Sequence, residues 1–170
     1  MDRTLHIDSP SLKLVADAAE RAYPHEACGL LVGRVAEGGA FHVTEVVESP
    51  NLAPGGQADR FEIDPALRLR LQREARDRGE AVIGIWHSHP DGPARPSATD
   101  LASAWEAGLV WVVVQVVAGQ VVRTTAHCLA TDGSRFLPIG ISDGPEAAPV
   151  CAPRVLDDLG RLGKGGMGTR

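Results

Sequence analysis

The stretch Ala81–Pro90, AVIGIWHSHP, restricts the architecture of this chain more than any other. Its first six residues form a short apolar run of the kind that fills a buried strand. Two histidines then arrive at alternate positions, and Pro90 stops the run. Alternate side chains of an extended chain point to the same side. His87 and His89 can therefore aim two imidazoles at one point, with Ser88 turned away. A buried strand needs a sheet and packed helices around it, and the rest of the sequence reads as both.

Ser9-Pro10-Ser11 opens a helix, with Ser9 as its cap and Pro10 in the first turn. Leu12, Val15, Ala18, Ala19 and Ala22 recur at helical spacing until Pro24 ends the run. Ala27 to Val35 and Ala40 to Val47 read as hairpin strands around Glu37-Gly38-Gly39. Residues 49–57 carry two prolines and two glycines and read as loop. After the extended Phe61-Glu62-Ile63, Asp64-Pro65 opens a second helix that runs to Gly79. The alternation of Leu67, Leu69 and Leu71 also suits a strand, but the caps, the length and the Arg/Glu/Gln/Ala content favour helix. Ser88 to Pro96 holds three prolines and reads as loop. Ser97 caps a short helix to about Ala107. Leu109–Val117 and Val121–Leu129 form a hairpin around Ala118-Gly119-Gln120, and Arg135 to Ile139 adds one more strand. The expected class is α/β (or α+β), a mixed sheet flanked by helices. Trp86, Trp105 and Trp111 read as core, with Trp86 also placed to wall a pocket beside His87.

With 170 residues, the chain makes one domain over residues 1–141 and a Gly/Pro/Ala-rich, flexible tail over 142–170. Its net charge of −5, from 17 basic and 22 acidic residues, argues against a protein that coats nucleic acid. No apolar run approaches the roughly 18–20 residues of a membrane-spanning helix, and the N-terminus lacks the apolar stretch of a secretory signal. Cys28, Cys128 and Cys151 are odd in number and widely spaced, which suits a reducing cytoplasm better than a disulfide framework. The expectation is a cytoplasmic protein that contacts neither nucleic acid nor a membrane.

Asp100 lies one turn inside the helix that Ser97 caps, where a carboxylate can face back toward the two imidazoles. Two histidines and one aspartate make the nitrogen and oxygen donor set of a catalytic zinc site, with a fourth position left for water. Such a water needs a base to take its proton, and Glu26, at the entrance to the first hairpin strand, is the candidate. Ser97-x-x-Asp100 is equally a capping box. That role is compatible with a second task for the Ser97 hydroxyl, but for Asp100 it competes with holding a metal. His25 reads as an edge or surface residue, and His6, His42 and His127 as surface or core. Cys28 reads as a small buried hydrophobe, and the arginines from Arg68 to Arg78 as a solvated helix face.

Glu26, His87-Ser88-His89-Pro90 and Ser97-x-x-Asp100, with seven residues (Pro90 to Pro96) between His89 and Ser97, form a family pattern. In these positions the chain resembles the JAMM/MPN zinc metalloproteases. The phrases HEACGLLVG and GIWHSHPDGPARPSATD, and the segment Arg60 to Asp64, are similar to the short stand-alone bacterial members. The likeness covers about residues 5 to 140. It implies a JAB/MPN-like mixed sheet flanked by helices, with a cytidine-deaminase-like layout. It also implies one Zn2+ per chain, held by His87, His89 and Asp100. Glu26 would act as general base and then general acid, and Ser97 would donate a hydrogen bond to the oxyanion. The implied activity is hydrolysis of a peptide-type bond at the C-terminus of a small ubiquitin-like (sulfur-carrier) protein ending in Gly-Gly, and a homodimer is compatible with it. One alternative is a non-catalytic scaffold of the same fold, though such proteins usually lose a metal ligand and all five positions are present here. A zinc nucleoside deaminase would need His-x-Glu and a later Pro-Cys-x-x-Cys, and the chain has neither.

Overall fold

The sheet curves until its two ends meet. In the computed structural model of the chain, residues 3–55 and 59–144 are described. Most of the tail expected over residues 142–170, from residue 145 on and with Cys151, lies outside them. The elements in chain order are β1 (Thr4–His6), α1 (Ser9–Ala22), β2 (Cys28–Val35), β3 (Phe41–Ser49), α2 (Pro65–Asp77), β4 (Ala81–Pro90), α3 (Ala98–Ser103), β5 (Val110–Val117), β6 (Gln120–Leu129) and β7 (Phe136–Ser142). The strands lie in the order β1-β3-β2-β4-β5-β6-β7. β1 pairs in parallel with both β3 and β7 and so closes the sheet. β4 and β5 are also parallel, and the other pairs are antiparallel. The mixed sheet with helices is as the sequence indicates; its closure is not. β1 has three residues, too few to show a period.

Strand alternation sorts the core into two sets. Val110, Val112, Val114 and Val116 of β5 pack with Val15, Ala18 and Ala19 of α1. Leu109 and Trp111 turn the other way and pack with Leu67 and Leu71 of α2. On α2 the buried line is Leu67, Leu71 and Ala75, while Leu69 is exposed, as the helical reading requires. Trp86 faces the α1 side, fully buried, with its indole N–H 3.3 Å from the Val47 carbonyl. It therefore walls the core rather than a pocket.

Four local expectations are corrected. The α1 cap is Asp8, whose carboxylate accepts from the Ser11 amide at 2.7 Å, while the Ser9 hydroxyl donates to Asp143. β4 does not give way to loop at Ser88 but stays paired with β5 through Pro90, opposite Val116. A proline at the last strand position removes only one donor from the ladder. α3 ends at Ser103, not near Ala107. Trp105, beyond that end, is 80% exposed and is no core residue.

Gly29 sits where β2 is pressed between β3 and the Trp86 indole. A Cβ there would stand 2.1 Å from the Val47 carbonyl oxygen and 2.3 Å from Trp86 Nε1. Gly29→Ala should cost about 2–3 kcal/mol through forced displacement of packed groups. Urea denaturation of the two proteins checks this; unchanged stability would mean that the indole moves aside freely.

Candidate metal centre

Each donor of the site is placed by an ordinary element. His87 and His89 project from one face of β4, at its C-terminal end, into the space on the α2 side of the sheet. Ser88 points to the opposite face. Its hydroxyl accepts from the Ala27 amide at 2.8 Å, and its own amide donates to the Ala27 carbonyl at 2.9 Å. This fixes Glu26 at the mouth of β2, beside the histidines. Asp100 is at the third position of α3, where the helix start turns it inward.

The three donors meet. His87 Nε2 and His89 Nε2 are 3.0 Å apart, and each is 3.3 Å from an oxygen of Asp100. All three are buried: His87 0%, His89 7% and Asp100 5% exposed. The His89 tautomer follows from its other nitrogen. Nδ1 is 2.9 Å from the Pro93 carbonyl, which can only accept. The proton therefore sits on Nδ1, and Nε2, facing His87 and Asp100, is the nitrogen left to hold a metal. A tetrahedral zinc with ligands at about 2.0–2.1 Å keeps its donors ~3.3 Å apart. The observed spacings of 3.0, 3.3 and 3.3 Å match that polyhedron. Among the described residues no other cluster of this kind gathers. The set therefore fits a divalent metal with room for further ligands.

Asp100 resolves the competition seen in its sequence context. Its Oδ2 accepts from the Ser97 amide at 2.6 Å and hydroxyl at 2.8 Å, completing the capping box, while Oδ1 faces His87. One oxygen caps and the other is free to ligate, so both roles hold together. Burial pushes the Asp100 carboxyl up, but hydrogen bonds from His87 and His89 outweigh it and hold it well below the carboxylate range. It is ionised at any ordinary pH. Burial pushes His87 down, so it stays neutral and can ligate. The Ser97 hydroxyl gives its proton to Asp100 and must turn away from it to serve another acceptor.

Glu26 is 6% exposed, and its carboxylate hydrogen-bonds to none of the described residues. Burial drives its carboxyl up to about 8, with Asp100 and Asp59 adding repulsion and His89 opposing. Its backbone is held by Asn51, whose Nδ2 donates to the Glu26 and Arg60 carbonyls while its Oδ1 accepts from Glu62 and Ala53. No local sequence signal marks Asn51. Phe61, within the Arg60–Asp64 segment, stacks its ring on His87 at 4.4 Å. His25 is exposed and is not one of the gathered donors. Burial pushes the Cys28 thiol up to about 12, and it rests against the Ser49 carbonyl, so it is no nucleophile.

Beside Asp100 opens a groove of about 790 Å³ lined by Phe61, Ile63, Leu69, Ile85, Trp105 and Trp111. Of the three donors, Asp100 lines it.

Residues 8–128 match the family described as prokaryotic homologs of the JAB domain. A desampylase of Haloferax volcanii is 28% identical over 144 residues, covering 78% of this chain and 98% of that one. A probable TtuB-protein conjugate cleaving protease of Thermus thermophilus is 32% identical over 131 residues, covering 76% of this chain and 71% of its own length. The solution structure of a Desulfitobacterium hafniense protein superposes with a TM-score of 0.69 at 30% identity, covering 84% of this chain and 93% of that one.

In metal-free protein the Glu26 carboxyl keeps its proton from its ordinary 4.5 up to about 8. The folded state then binds more protons than the unfolded state in that window, so stability falls as pH rises through it. Glu26→Gln removes this loss. Measured with a chelator present, the Gln variant should gain on the parent between pH 5 and 8 by about 2–4 kcal/mol. Parallel pH curves would show that the carboxyl is not raised.

Proposed function

Because the chain belongs to the prokaryotic JAB family, we propose that it is a zinc-dependent peptidase acting on a small-protein conjugate. The observation that carries this reading is the convergence of His87, His89 and Asp100 near the buried carboxylate of Glu26, with a groove opening beside Asp100. His87, His89 and Asp100 would hold the zinc. The metal, when bound, supplies Lewis acidity: it polarises the scissile carbonyl and makes water a usable nucleophile near neutral pH.

The protein's own groups do the rest. The Glu26 carboxylate takes the proton of the attacking water and returns it to the leaving amine. Beside a cation held by the three donors, the raised proton affinity of Glu26 would fall, leaving its base form available at neutral pH. Ser97, turning its hydroxyl from Asp100, donates to the oxygen of the attacked carbonyl. A second reading, a non-catalytic scaffold of the same fold, would need none of this Glu26 chemistry.

The substrate proposed is the C-terminal tail of a small ubiquitin-like, sulfur-carrier type protein ending in Gly-Gly. The donors are buried and a groove opens beside Asp100, a shape that suits an extended chain whose last residues carry no side chains. The names of the Haloferax volcanii and Thermus thermophilus relatives, a desampylase and a conjugate-cleaving protease, support conjugates as the substrate class. The described cysteines Cys28 and Cys128 are free, in keeping with a cytoplasmic setting. No described helix is long and apolar enough to cross a membrane.

Incubation with such a carrier bearing a C-terminal extension, followed by mass measurement of its terminus, tests the reading. The parent should release the extension. Glu26→Gln should retain zinc and lose about 10²–10⁴ in rate, and His87→Ala should lose the zinc. Cleavage by Glu26→Gln at the parent's rate would remove Glu26 from the mechanism. Zinc binding by a parent that cleaves nothing would favour the scaffold.

A further inference from the structure

The loop over residues 91–96 supplies the carbonyl that sets the His89 tautomer, yet it lies at the surface and contains two of the chain's prolines. Something must hold it still. At its start, Asp91 does so: its carboxylate accepts from the Ala118 amide at 3.0 Å and from the Tyr23 hydroxyl at 2.8 Å, and its amide donates to the Val116 carbonyl. At Pro93 the carbonyl takes two donors, the Arg95 amide and His89 Nδ1, each at 2.9 Å. The next residue, Ala94, is tied to the sheet by a single side chain. Thr125 of β6 donates its hydroxyl proton to the Ala94 carbonyl at 2.9 Å.

The direction of each bond in this chain is determined. The Ala94 carbonyl can only accept, so the one proton of the Thr125 hydroxyl is spent on it. His127 Nε2, 3.0 Å from the same oxygen, must therefore donate. His127 is 8% exposed and packs edge-on against Phe136 at 6.5 Å, so its ring is fixed in place. Thr125 and His127 lie opposite Val113 and Trp111 on β5, and these in turn lie beside His87 and Ile85 on β4. A rigid strand two removed from the ligands thus reaches over to the loop and sets its height above His89. A bond to a carboxylate or carbonyl of this kind on a ligating histidine is worth about 10–100-fold in metal affinity.

We propose that Thr125, oriented by His127, is a positioning residue for the metal centre. It pins Ala94 so that the adjoining Pro93 carbonyl holds His89 with Nε2 aimed at the metal. This rests on the proposed metal site, and Thr125 touches neither metal nor substrate.

The test is metal affinity, read by competition between the protein and a chromogenic chelator for Zn2+, with thermal melting of the chelated proteins beside it. Thr125→Val keeps the shape and removes the hydroxyl; Thr125→Ser keeps the hydroxyl. The expected result is Zn2+ affinity about tenfold weaker in Thr125→Val and restored in Thr125→Ser, with metal-free melting temperatures alike. Equal affinity for Thr125→Val and the parent overturns the inference while leaving the metal site intact. Weakening in both variants overturns it as well, because the hydroxyl would then not be the cause. A parent that binds no Zn2+ at all overturns the metal site and, with it, this inference.

Discussion

The site depends on the register in which β2 meets β4. Ala27 and Ser88 exchange two hydrogen bonds, one through the backbone and one through the Ser88 hydroxyl, and Cys28 then lies opposite His87. This single alignment puts the carboxylate of Glu26 within electrostatic reach of His89, whose neighbour in the site is His87. A slip of one residue would turn both histidines to the α1 side, into the apolar core, and Ser88 into the site. Gly29 and Trp86 guard against such a slip. Only a residue without Cβ fits under the indole, which hydrogen-bonds across to β3.

The same economy governs the acidic groups. Asp100 caps α3 with one oxygen and faces the histidines with the other, so the helix start that delivers the carboxylate is also stabilised by it. Glu26 is treated in the opposite way. Its burial raises its proton affinity and destabilises the metal-free fold above pH 5 or so. Carboxyls whose proton affinity is strongly raised by burial cluster where a protein needs a group to exchange protons. A cation at the histidines would relieve much of that cost, so metal binding and the readiness of the base are coupled.

The sequence made the donor set legible because all of it follows local rules. A two-residue period places His87 and His89 on one face, a helix start places Asp100, and the seven-residue spacing ties the two. Glu26 gives a weak signal by itself, since a glutamate before a strand is commonplace, and the family pattern strengthens it. Residues that arrive from distant segments stayed hidden. Phe61 stacks on His87, Asn51 ties Glu26 to the Arg60–Glu62 segment, and Thr125 with His127 steadies the loop over His89. None has a spacing that betrays its partner. Trp105 misled because residue type favours burial, whereas the early end of α3 carries it outward to the rim of the groove. The closure of the sheet rested on three residues of β1, below the length at which a strand shows itself.

Zinc-soaked crystals measured at the zinc absorption edge give the most direct view of the central arrangement. A single anomalous peak per chain should lie about 2.0–2.1 Å from His87 Nε2, His89 Nε2 and one oxygen of Asp100, with His89 Nδ1 still bonded to the Pro93 carbonyl. A peak held through His89 Nδ1, or one seated away from these three side chains, would contradict it.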